Sequence, residues 1–229
     1  MERKLYYTMA FTGGFMGAYA ILNRCDIFGN AQTANMIYIV MNIVGRNVFD
    51  VICRLGGLLI YMSGIAFTVL WPKFSKVSVR YIAVAVDMAV IIILGFMPEH
   101  MNNIIALYPI FLAASIQWNS FTEVSGYNCS TIFSTNNLRQ FTVAATEYIY
   151  SRESGYAHKA GFYGGLLIFY HLGVVFSYVS HKEFGMKCIW AGIIPVVIAV
   201  AMIIYEDFYK VCNLKKTFRK RVEELGSNV

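Results

Sequence analysis

Four stretches of this chain are apolar over enough residues, with their flanks, to cross a roughly 30 Å hydrocarbon layer as helices. They are LLIYMSGIAFTVLW (58–71), YIAVAVDMAVIIILGFM (81–97), GGLLIFYHLGVVFSYV (164–179) and IWAGIIPVVIAVAMIIY (189–205). In lipid every backbone N–H and C=O must be bonded within the protein, so helices are the expected form, and the strict alternation of a barrel strand is absent. Composition agrees: 58% of the 229 residues are apolar and 14% charged, against roughly 25% charged in soluble domains. The expected class is an all-α integral membrane protein.

The charges read as topology. The net charge of +6 comes mainly from connections and the C-terminus, which points to the lipid bilayer as partner and away from nucleic acid. Arg3 and Lys4 precede the first apolar stretch. Lys73, Lys76 and Arg80 fill one connection, and Lys210, Lys215, Lys216, Arg219, Lys220 and Arg221 follow the last stretch. All three groups are expected on the cytoplasmic side, with PEHMNN (98–103), which lacks Lys and Arg, outside. The N-terminus has the basic start and the Ala18-Tyr19-Ala20 triplet of a secretory signal. Gly13-Gly14 interrupts its apolar stretch, however, and the segment has a counterpart later in the chain, so it is expected to stay in the mature fold.

Two polar thresholds interrupt this apolar sequence. NAQTANMIYIV (30–40) and IFSTNNLRQFTV (132–143) each set Thr-x-Asn at the start of a helical pattern. A shift of 102 residues lays Thr33 on Thr135, Asn35 on Asn137, Met36 on Leu138 and Gly17 on Asn119. The apolar stretches 52–71 and 80–97 find counterparts at 162–180 and 188–205. The chain therefore reads as a duplicated unit, 1–97 and 98–206, followed by a basic cytoplasmic tail at 207–229 expected to lie near anionic headgroups.

The helix at 33–44 spans only about 18 Å, too short to cross. The helix at 135–150 reaches about 24 Å, and symmetry is the reason for reading it as re-entrant too. The expected architecture is six transmembrane helices, at about 5–22, 52–71, 80–97, 104–120, 162–180 and 188–205, plus two short re-entrant helices. Each half then crosses an odd number of times, giving an inverted internal repeat with both termini cytoplasmic.

A helix that begins at depth leaves its first amides without intrahelical partners. In one reading Thr33 and Thr135 cap the helices while Asn35 and Asn137 bond neighbouring carbonyls. In the other, the two N-termini also converge on a small polar or anionic solute, with Gln117 and Asn119 close by. Arg139, in the first turn of the second helix, needs an acceptor, either a bound anion or a carboxylate such as Glu147. Asp87 and His171 lie mid-run and are expected to face the bundle interior, Asp87 either as a neutral hydrogen-bonding group or with His171 in proton or ion handling.

Enzymatic constellations are missing: there is no glycine-rich phosphate loop, no His-Glu-x-x-His and no Gly-x-Ser-x-Gly. The histidines (His100, His158, His171, His181) and cysteines (Cys25, Cys53, Cys129, Cys188, Cys212) are scattered singly, so no metal, cofactor or disulfide framework is expected.

GGFMGAYAILNRCDIFGNAQTANMI in the first half and GYNCSTIFSTNNLRQ in the second, the latter preceded by IQWN, resemble the two Thr-Gly-Asn signatures of the YoaK-type family of bacterial small integral membrane proteins, whose function is unknown. The resemblance covers nearly the whole chain and implies the architecture and a bacterial cytoplasmic membrane location. The chain departs from the pattern at Gly17, where the family usually has Asp, and at Ala34 and Asn136, which replace the signature glycines. The expected function is a non-enzymatic channel or transporter for a small polar or anionic solute. The alternative is a membrane scaffold or sensor whose Thr-x-Asn sites only cap helices.

Overall fold

The computed structural model describes residues 2–24 and 27–226, with side chains described as far as Tyr209. Cys25, Cys212 and the basic side chains of the tail lie outside that description. The fold is helical: α1 (Glu2–Asn23), α2 (Thr33–Val44), α3 (Val48–Phe74), α4 (Val79–Gly95), α5 (Asn103–Ala106), α6 (Tyr108–Ser120), α7 (Thr135–Ser151), α8 (Ser154–Phe184) and α9 (Ile193–Gly226). A 3₁₀ segment, Gly185–Gly192, joins α8 to α9, and strands β1 (Glu123–Val124) and β2 (Tyr127–Asn128) form a small antiparallel hairpin after α6.

Local chemistry accounts for most of these boundaries. Asn47, Ser78 and Asn102 each accept a backbone N–H at the start of α3, α4 and α5, the usual work of an N-cap. Pro109 sits in the first turn of α6, where its missing N–H costs nothing. The hairpin turns through Ser125 and Gly126, both at positive φ, as the right-handed strand twist requires. Arg46 and Arg152 are left-handed, with φ of 59° and 58°. They stand just past α2 and α7, where a single such residue ends a helix and starts the next.

The expected boundaries hold to within about four residues for α1, α2, α3, α4 and α7, but α8 starts at Ser154 instead of 162, α9 runs on to Gly226 instead of ending at 205, and three further places differ. The stretch 104–120 is broken at Leu107 into α5 and α6. No straight helix starts at 188, because residues 185–192 are 3₁₀ and run on into α9 at Ile193. The hairpin between α6 and α7 was not anticipated.

Packing follows one scheme twice. α1 lies along α8 as α6 lies along α3; α2 rests on α3 as α7 rests on α8; α4 contacts α6 as α9 contacts α1. The two halves are therefore interlocked, each long pair drawing one helix from each half. Glycines let the pairs close. A Cβ on Gly14 would collide with the Tyr170 carbonyl, and one on Gly173 with that of Phe11. In the other pair, Phe111 fills the space beside Gly57, and Ser115 that beside Gly64. Residue numbers rise together along α1 with α8, where Tyr7 meets Phe162 and Phe15 meets Phe176, and along α3 with α6, where Gly57 meets Phe111 and Gly64 meets Ser115, so both pairs are parallel.

Depth is set by three side chains. Arg24, at the end of α1, donates to the carbonyls of Glu99 (3.0 Å) and Pro98 (3.3 Å), so α1 ends level with the end of α4. The chain then turns back, because the Asn30 amide donates to the Gly13 carbonyl at 2.8 Å, midway along α1. The same amide donates to Ile132, just ahead of α7, at 2.7 Å. At the opposite end of the bundle the Tyr6 hydroxyl meets the Glu123 carbonyl in the hairpin that follows α6. Both α2 and α7 thus begin about halfway along the bundle, approached from opposite ends.

Among the described residues, two helical stretches, Val48–Phe74 and Ser154–Tyr209, are long and apolar enough to cross a membrane. Their outward faces are apolar as well: Leu59, Met62, Ile168, Val175, Val179, Ile194 and Val197 are all exposed. Soluble monomers rarely expose contiguous apolar patches beyond a few hundred Å².

Gly173→Val is expected to lower the melting temperature in detergent sharply, by more than the 1–3 kcal/mol or so typical of overpacking, because backbone atoms cannot step aside. Gly161→Ala, where nothing lies within 4 Å, should instead stabilise by roughly 0.5–1 kcal/mol. Equal melting of the two variants would refute this account of the helix crossing.

Candidate functional site

The starts of α2 and α7 open onto one cleft of about 770 Å³, lined by both Thr33 and Thr135. Gln32, Ala34, Tyr61 and the apolar Phe28, Ile37, Leu58, Trp118 and Phe133 complete most of its wall. Neither threonine caps its helix. The cap positions fall one residue earlier, at Gln32 and Ser134, both in right-handed helical conformation and neither making a side-chain cap bond. The first amides of both helices are thus left without the side-chain acceptor expected for them, and the expectation that Thr33 and Thr135 act as caps is corrected. Helix N-termini carry about half a positive charge each, and here two of them border the same space.

The two asparagines of the thresholds are spent on the protein itself. Asn137 is buried and makes a closed pair with the Ser130 backbone, donating to its carbonyl at 2.6 Å and accepting its N–H at 3.1 Å. Asn35, also buried, donates to Gln32 Oε1 (2.7 Å) and to the Arg54 carbonyl (3.1 Å), and accepts from Arg54 Nη1 (3.2 Å). Neither lines the cleft. Gln117 donates to the Met9 carbonyl (2.9 Å) and to Thr131 Oγ1 (3.0 Å), tying α6 to α1 and to the loop before α7. Asn119 donates to the Thr68 hydroxyl across the α3–α6 pair.

Three further expectations are revised. Arg139 is exposed, and no ion pair with Glu147 forms; the described residues contain one ion pair, Arg80 with Glu206 at 3.6 Å. His171 is exposed on α8, with Nδ1 at 2.7 Å from its own helix carbonyl of Leu167, and lines an open apolar groove shared with Ala18 and Ile21 of α1. Asp87 is fully buried, with neither carboxyl oxygen hydrogen-bonded. It sits on α4, which packs on α6, α9 and the 3₁₀ segment, whereas α8 packs on α1, α7 and that same segment. Asp87 and His171 are therefore on separate helices facing different ways.

Sequence reasoning passed over four charged residues that the fold uses. Arg54 is buried on α3 with its guanidinium over the Tyr38 ring at 4.5 Å. Arg24 is buried against α4. Glu206 pairs with Arg80, and Asp207 accepts from the Tyr81 hydroxyl at 2.7 Å, so α4 and α9 are tied at one end. A charge at the first turns of an apolar stretch, as in DVICRLGGLL, was the available signal for Arg54.

The fold and the cleft define a class: a helical chain with lipid-compatible faces and two helix starts meeting at half depth. The particular family is shown by sequence. The chain belongs to the family described as protein of unknown function (DUF1275), which it matches over residues 5–202. No curated protein and no solved structure matches it.

Asn137→Leu should destabilise by about 1–3 kcal/mol for each Ser130 group left unbonded, read as melting in detergent. Arg139→Gln should leave melting nearly unchanged, as exposed charges without a partner contribute little. A larger loss for Arg139→Gln than for Asn137→Leu would overturn these assignments.

Proposed function

We infer that this chain is a multi-pass protein of the cytoplasmic membrane that passes a small polar or anionic solute, as a channel or transporter, without enzymatic chemistry. Six crossing segments (α1, α3, α4, α5 with α6, α8, and the 3₁₀ segment with α9) and two half-crossing helices (α2 and α7) make up its bilayer-embedded body. The apolar outward faces support the bilayer reading, since lipid removes the cost of exposing them. The repeated packing scheme supports two inverted halves, and the resemblance to the YoaK-type family agrees with that architecture.

The observation that carries the functional reading is the shared cleft, bordered by Thr33 and Thr135 at two helix starts that no side chain caps. Irregular backbone at depth is tolerated where it lines a cavity, and discontinuous helices meeting at half depth are the usual construction of solute sites in transporters. The scaffold reading rests on a different observation: Asn35 and Asn137 bond only to protein, so the Thr-x-Asn sites have a structural use whether or not a solute binds.

Two measurements test the proposal. In a background without reactive cysteines, Lys76→Cys should label only from the cytoplasmic side and His100→Cys only from outside; labelling of position 76 from outside breaks the six-crossing arrangement. In liposomes, the pair Thr33→Val and Thr135→Val should reduce solute flux at least about tenfold, a 1.4 kcal/mol effect, with melting close to the parent. A parent protein that passes none of a panel of small anions, sugars and amino acids moves the assignment to a scaffold.

A further inference from the structure

We propose that the cleft between α2 and α7 is an anion site, selective for a small carboxylate or oxyanion, with Gln32 as a direct donor and the buried Arg54 as the charge that polarises it. This rests on the solute reading above and narrows it from polar solutes to anions.

The argument is one of direction. Arg54 is 8% exposed in α3, and no carboxylate pairs with it among the described residues. Its Nη1 donates to Asn35 Oδ1 at 3.2 Å. A guanidinium has no acceptor, so this contact fixes the Asn35 amide with its oxygen toward Arg54. The other end, Nδ2, donates to the Arg54 carbonyl and to Gln32 Oε1, the latter at 2.7 Å. Gln32 is fixed in turn, oxygen toward Asn35 and Nε2 away from it. That Nε2 is buried and bonded to nothing, in a residue that is 7% exposed and lines the cleft.

A cation therefore feeds a chain of two amides that leads from Arg54 on α3 through Asn35 to Gln32 in the wall of the cleft, while the second Asn35 N–H returns to the Arg54 carbonyl. Such chains polarise one another in a low-dielectric setting, which strengthens the last donor. What remains at the end is a vacant N–H, and only an acceptor satisfies it.

The helix ends add to the same sign. The uncapped starts of α2 and α7 present their first amides and two hydroxyls, and the α2 end stands beside Arg54. A buried cation next to the positive end of a helix is unfavourable unless a negative charge compensates both. A neutral sugar or amide supplies acceptors but no charge; an anion supplies both. The apolar walls, Phe28, Ile37, Leu58, Trp118 and Phe133, favour ions that shed water readily, so a singly charged carboxylate or oxyanion fits better than a strongly hydrated divalent one.

The test uses the full chain in phosphatidylcholine nanodiscs and liposomes. Sodium formate, acetate, nitrate, sulfate and phosphate are compared with acetamide and glycerol, by melting temperature and by flux. At least one singly charged anion is expected to raise the melting temperature saturably, and acetamide and glycerol are expected not to. Gln32→Glu should weaken that protection at least about tenfold, because a carboxylate replaces the donor at equal size. Gln32→Met, which only deletes the donor, should weaken it less. Arg54→Gln should also reduce it; if that variant fails to fold, the two Gln32 variants decide alone.

No protection by any anion, or protection undiminished in Gln32→Glu, overturns the anion site. The flux arm separates the two claims. Neutral solutes passing as fast as anions leaves the transport reading standing and removes this one; anion binding without flux does the reverse.

Discussion

A helix that starts in the middle of a bundle brings with it a loop whose backbone groups are out of reach of bulk water, and in this fold one side chain answers for two such loops. The Asn30 amide donates to Gly13 on α1 and to Ile132 ahead of α7. Gln117 adds Met9 and Thr131 to the same junction, and the Tyr61 hydroxyl reaches the Asn30 carbonyl at 3.4 Å. Gly13 is what lets the loop come so near, since a Cβ there would strike the Thr131 carbonyl. Each unbonded buried group would cost about 1–3 kcal/mol, so these few amides are what permits α2 and α7 to begin where they do. The shared cleft exists only because they succeed.

The two long helix pairs, α3 with α6 and α1 with α8, are held differently. Asn119 on α6 bonds Thr68 on α3. The α1–α8 pair packs differently around Gly17 on α1, and on α8 Ser177 is buried. The Ser177 hydroxyl is buried without a partner. A Cβ on Gly17 would meet the Phe28 ring at 2.8 Å and the Asn30 amide at 2.9 Å. The bare Gly17 thus lets Phe28 and Asn30, from the loop before α2, pack directly on α1.

The half-length helices, their starts and most long-helix boundaries were legible in the sequence, because helical length, the Thr-x-Asn repeat and apolar runs are local signals. Besides the break at Leu107, the 3₁₀ segment and the hairpin, the wrong inferences at the site concerned backbone angles and facing. Thr33 and Thr135 look like caps, but a cap is defined by backbone angles, and those turn at Gln32 and Ser134. His171 looks interior because a charge is costly mid-run, yet it is exposed on α8 with its ring against its own helix carbonyl of Leu167. Arg54 was passed over because its meaning lies in Asn35, nineteen positions away, and no pattern along the chain joins the two.

The two buried arginines show why position, and not burial, decides what a cation is for. Arg24 reaches the carbonyls just past the end of α4, where the helix dipole is negative and free acceptors are plentiful. Its two terminal nitrogens are bonded there, and its role is to set the level at which α1 ends. Arg54 stands beside the start of α2, where the dipole is positive, and its acceptors are one amide oxygen and one aromatic face. Neither carries a full charge, and neither stands at the negative end of a helix as the Arg24 acceptors do. From Arg54 the polarisation passes instead through Asn35 to Gln32, a residue of the cleft wall, so the position of this cation bears on the cleft while that of Arg24 bears on the length of α1.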